Sequence, residues 1–86
     1  MSMRDERLRL MGRLQEAKRE LKTLRIQADG YVISIRDAIN SYDALEDLRT
    51  DTALESVKAL DDARNKALRL IDEIERMETD LGEEKR

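Results

Sequence analysis

Eighty-six residues allow one small domain at most. Charged residues make up 43% of the chain and aromatics 2%, with no proline, which reads as coiled coil or long helix. The chain has neither Cys nor His, which excludes disulfides, thiol nucleophiles and nearly all zinc, copper and haem ligation, and removes the usual general base near neutral pH. The formal charge of −3 hides an asymmetry: residues 1–27 carry eight basic groups against four acidic ones, so the remainder is acidic. No run approaches the ~18 apolar residues of a transmembrane helix. The stretch Met1-Ser2-Met3-Arg4-Asp5-Glu6-Arg7 leads into an amphipathic pattern and not an apolar signal core. The expectation is a soluble, cytoplasmic protein without membrane contact.

The first predicted element is a helix over about 4–48. Two apolar ladders run through it at seven-residue steps: Leu14, Leu21, Ala28, Ile35, Tyr42, and Leu10, Ala17, Leu24, Tyr31, Ala38, Leu45. They interleave at spacings of three and four and form one coiled-coil seam. Such in-phase order argues against disorder despite the high charge. With Leu14 as position a, Gly12 falls at f and Gly30 at c, both pointing outward. Each glycine costs about 1 kcal/mol relative to alanine in a helix interior, but neither removes a seam side chain. A break at Asp29-Gly30 would give helices over about 4–28 and 31–48. The unbroken phase across Gly30 favours one continuous helix. Arg7 and Arg49 continue the Leu14 ladder at its two ends, where polar groups reach solvent or fix register against a carboxylate.

A turn is predicted at about 49–52, because Thr52 followed by Glu55 fits the S/T-x-x-E capping box, with Thr50 and Asp51 as alternative caps. The second helix then spans about 53–81, with Gly82 as its stop and a frayed tail over 82–86. Its seam is Ala53, Leu60, Ala67, Ile74, Leu81 interleaved with Ala63, Leu70, Met77, and it is widened by Leu54, Val57, Leu68 and Ile71. A stripe that wide suits a bundle of three or four helices. The fold class is therefore all-α: one domain, a long antiparallel helical hairpin that dimerises into a four-helix bundle.

The candidate self-association or partner-binding set joins the off-seam Ile26, Val32, Ile33 and Ile39 with Leu10, Met11 and Leu14 on the expected overhang and Tyr31 of the seam. A turn near residue 50 sets Leu81 level with about residue 20. The first twenty or so residues then overhang helix 2, leaving Leu8, Leu10, Met11 and Leu14 to be covered by another chain. The candidate nucleic-acid contacts are Arg4, Arg7, Arg9, Arg13, Lys18, Lys22 and Arg25. They are spread around the helix and interleaved with acids, and no aromatic among residues 1–30 offers base stacking, so a solvated flank is the stronger expectation. The acids Asp61, Asp62, Asp72, Glu73, Glu75, Glu78 and Asp80 alternate with Lys58, Arg64, Lys66, Arg69 and Arg76 as on a salt-bridged outer face. Tyr31 and Tyr42 are expected in the core. A ligand pocket beside Tyr31, opened by Gly30, is the sharper alternative.

Leu68-Arg69-Leu70-Ile71-Asp72-Glu73-Ile74 resembles the opening of the all-helical chorismate mutases. In that family the segment begins a long first helix, with further helices after it. Here it stands near the end of the sequence, so nothing is carried over. The hairpin length is similar to that of the small secreted Trp-x-Gly proteins, whose motif this Trp-free chain lacks. No catalytic, cofactor or metal site is expected, nor a small-molecule substrate. The chain reads as a non-enzymatic interaction or regulatory module acting as a homodimer on a protein partner. A nucleic-acid accessory role is the alternative.

Overall fold

A computed structural model describes residues 3–84. Among them there is no strand. Two helices, α1 (Met3–Ala38) and α2 (Thr50–Glu84), flank a connection that holds a single 3-10 turn at Leu45–Asp47. At 1.5 Å per residue each helix is a little over 50 Å long. They lie side by side in a rod of 65 × 17 × 15 Å. The radius of gyration is 19.3 Å, against about 12 Å for a compact domain of this length.

α1 runs unbroken through Asp29-Gly30. A side chain at Gly12 or Gly30 would meet nothing within 4 Å, and neither glycine takes a positive φ. Nothing approaches Gly30 closely, so the backbone contact imagined for a pocket beside Tyr31 is absent among the described residues. Tyr31 itself is half-buried in the seam.

α1 ends ten residues earlier than its heptads suggest. Asn40 folds the chain by local hydrogen bonds: its side-chain Oδ1 accepts the Tyr42 amide at 3.0 Å, and its carbonyl accepts the Asp43 amide at 3.1 Å. Asn side chains compete in this way with the helical ladder. Tyr42 and Leu45, expected in the core, are therefore 95% and 83% exposed in the connection. Arg49 closes the end of α1. Its amide donates to the Ala38 carbonyl at 2.9 Å and its guanidinium to the Asp37 carbonyl at 3.0 Å. These are carbonyls that a helix end leaves without partners. Arg49 thus does fix register, but through backbone oxygens and not a carboxylate.

α2 begins three residues earlier than expected. The Arg49 carbonyl accepts the first helical bond, from Ala53 at 3.0 Å. Thr52 sits inside the first turn, where its amide is taken by Asp51 Oδ1 at 2.9 Å, so the expected Thr52–Glu55 cap gives way to Asp51. The Asp51 charge suits a helix N-terminus. α2 continues through Gly82 to Glu84. Residues 85 and 86 of the expected tail lie outside the described residues.

The early turn shifts the pairing of the two helices, so that Leu81 lies level with about Leu14 instead of residue 20. Leu14, Ala17 and Leu21 pack with Ile74, Met77 and Leu81 in one cluster, with Leu10 against it. The long N-terminal overhang is therefore corrected: Leu10 and Leu14 are covered by α2 itself. At the hinge, Ala38 and Ala53 are buried. Every buried side chain among the described residues is apolar, and no large one is buried below 2% exposure. The core is one seam thick.

Gly12→Ala and Gly30→Ala should each stabilise the protein by about 0.5–1 kcal/mol, since alanine there gains helix propensity and meets no neighbour. Urea denaturation at fixed protein concentration measures this. An unchanged or lowered midpoint in both variants would show that the helix is not continuous at these positions.

Candidate interaction surface

One ion pair orients the two helices about their axes. Lys18 Nζ lies 3.4 Å from Glu78 Oε2. Lys18 belongs to the seven-residue row Met11, Lys18, Arg25, Val32 of α1, continued just past its end by Ile39, whose amide still donates to the Ile35 carbonyl. Glu78 belongs to the row Val57, Arg64, Ile71, Glu78 of α2. Side chains seven apart share a helix face. The pair therefore sets these two rows facing each other along one flank of the hairpin. The neighbouring rows add Leu8 on α1 and Leu54 and Leu68 on α2.

This flank is rich in apolar surface. Leu54 is 71% exposed, and Leu8, Ile39, Leu68, Val57 and Met11 are exposed too. Val32 and Ile71 are half-buried, Ile71 partly against the core. Charged groups interrupt it in its middle: Lys18, Lys22, Arg25 and Asp29 on α1, and Asp61, Arg64, Glu75 and Glu78 on α2.

The opposite flank differs in chemistry. Its shallow grooves are lined by Arg13, Glu16, Glu20, Lys66, Arg69 and Glu73, over a floor of the seam residues Ala17, Leu70 and Met77. Toward the hinge, the Ser34 and Ser56 hydroxyls hydrogen-bond to each other at 2.9 Å. The α1 row here reads Arg13, Glu20, Gln27, Ser34, without one large apolar residue. A water-facing side needs that polarity.

The sequence-derived candidates divide among three places. Leu10, Leu14 and Tyr31 belong to the intrachain seam. Met11, Val32 and Ile39 lie on the apolar flank. Ile26 and Ile33 lie on the back of α1, away from the seam, and are 63% and 59% exposed. Sequence reasoning about α1 missed Leu54, Val57 and Leu68 as surface partners of Val32 and Ile39. Which of them share a flank depends on the antiparallel register, which no single helix encodes.

The basic candidates do not converge on one face. Arg13 lies on the polar flank, while Lys18, Lys22 and Arg25 lie on the apolar one beside the acidic second half of α2. Residues 72–81 there hold five acids and one arginine, Arg76, which pairs with Asp72 at 3.1 Å one turn away. The basic half of α1 thus lies alongside an acidic stretch of the same chain, with Lys18–Glu78 joining them. Among the described residues no cluster of His, Cys, Asp or Glu could hold a metal ion, and no helix is long and apolar enough to cross a membrane. Comparison with protein-family models, with curated proteins and with solved structures finds no match.

The Lys18–Glu78 pair is about half exposed, so it contributes less than about 1 kcal/mol. Lys18→Glu and Glu78→Lys should each destabilise the hairpin by about that amount, and the exchanged double variant should recover most of the loss. A double-mutant cycle by thermal unfolding reads the coupling. A coupling of zero would remove the basis for assigning the two flanks.

Proposed function

We propose that this chain is a small, non-enzymatic helical interaction module that self-associates side by side into a four-helix bundle and, so assembled, engages a protein partner in the cytoplasm. The observation that carries the reading is the difference between the two flanks. A lone hairpin has both flanks in water and no reason to make one apolar. A hairpin that stacks on a second copy covers one flank and leaves the other solvated. Surface area argues in the same direction. The chain exposes 7116 Å², where a compact monomer of 10 kDa would expose about 5,200 Å². The excess exceeds the roughly 800 Å² that each partner contributes to a stable interface. The core is also only one seam thick, so a second copy would add apolar burial that one hairpin lacks.

The non-enzymatic reading rests on composition. Without His or Cys, and with its carboxylates interleaved with arginines and lysines, the chain offers little for acid–base or nucleophilic chemistry. An interaction surface remains as the property on which function can act.

Sedimentation equilibrium tests the proposal. At tens of micromolar the mass should be twice the 10.0 kDa of the chain. Val57→Glu should weaken assembly at least about tenfold by placing a charge in the apolar flank. Ile33→Glu, on the back of α1, should leave it within about twofold. A strict monomer, or a loss of assembly with Ile33→Glu but not with Val57→Glu, would contradict the proposal as stated.

A further inference from the structure

Resting on the self-association proposed above, we propose that the second copy docks with its hinge at the same end, so that α1 of each chain lies along α2 of the other. Two flanks can be stacked about a two-fold axis in two ways. With the axis along the rod, the hinges coincide and α1 faces the partner's α2. With the axis across the rod, the hinges lie at opposite ends and each helix faces its own copy.

The heights of the charges decide between them. Ser34–Ser56 fixes the register toward the hinge, and Lys18–Glu78 fixes it about halfway along α1. Between them, Asp29 stands at about the height of Arg64, and Lys22 within a turn of Glu75. With hinges together, each Asp29 meets an Arg64 across the interface, and Lys18 and Lys22 meet Glu75 and Glu78. The Arg25 stem comes to lie over Leu68, and Val32 close to Val57. Among the described residues Asp29, Arg64, Lys22 and Glu75 form no ion pair inside the chain, so these charges find partners only in the dimer. With hinges apart, the middle of α1 lies on itself, and Lys18, Lys22 and Arg25 face the same three cations of the other copy. Like charges opposed in an interface select against that pairing. Every neighbouring pair of helices is antiparallel in both arrangements, so the helix dipoles do not choose between them and the side-chain charges do.

A single spin label tests this, because the chain has no cysteine of its own. Tyr42→Cys sits in the exposed connection and disturbs no packing. Pulsed electron–electron resonance on the labelled protein should give a separation of roughly 20–40 Å, a few helix widths. A separation near the 65 Å length of the rod overturns the hinge-together arrangement while leaving self-association standing. A monomeric mass of the same sample by sedimentation overturns self-association itself, and the orientation with it. Charge exchange gives a second readout. Asp29→Arg should weaken the dimer about three- to tenfold, and Asp29→Arg with Arg64→Asp should restore it to within about twofold. Failure of the double variant to recover, with the helical content of all variants unchanged by circular dichroism, also contradicts the arrangement.

Discussion

The clasp of Arg49 on the end of α1 sets the register on which the rest of the structure depends. Two hydrogen bonds from one residue satisfy the carbonyls of Asp37 and Ala38. Each is worth about 0.5–1.5 kcal/mol. Their larger consequence is positional. They fix where α1 stops and where α2 starts, and a hairpin has only that freedom to choose its pairing. With the turn here, Leu14 meets Leu81 in the core and Lys18 meets Glu78 on the surface. The basic half of α1 is then carried along the acidic half of α2, and Lys18–Glu78 joins them.

From that register follow two unlike flanks. Two helices share only a narrow seam, and the side chains just outside it are neither buried nor fully free. On one side they are Arg13, Glu20 and Glu73, as suits contact with water. On the other they are Val32, Ile39, Val57 and Ile71, bordered by Leu54 and Leu68. The interruption of this second flank by charges gives it a pattern as well as an affinity. Apolar area favours any association, while the order of Lys22, Asp29, Arg64 and Glu75 along it favours some partners over others.

Much of this was legible in the sequence. The ladders from Leu10 to Ala38 and from Ala53 to Leu81 describe the seam that forms, and their unbroken phase across Gly30 marks a continuous helix. The same periodicity misled at Tyr42 and Leu45, which keep the heptad spacing by coincidence after the helix has ended. The contrary signal was local: Asn40, Ser41 and Asp43 are residues whose side chains bond to nearby backbone, and Asn40 does so. Weighing those three above two in-phase apolar residues would have ended α1 ten positions earlier and shortened the supposed overhang. The flanks were not legible in either helix alone. Val57 reads merely as a widening of the α2 stripe until the Lys18–Glu78 pair sets it on the same side as Val32.

The claim that one flank is covered and the other is wet is tested most directly by placing two glutamates on each. Sedimentation equilibrium would compare Leu54→Glu/Leu68→Glu, on the apolar flank, with Gln27→Glu/Lys66→Glu, on the polar one. The first variant should be monomeric at concentrations where the second remains dimeric. Equal masses for the two, whether both dimeric or both monomeric, would contradict the account.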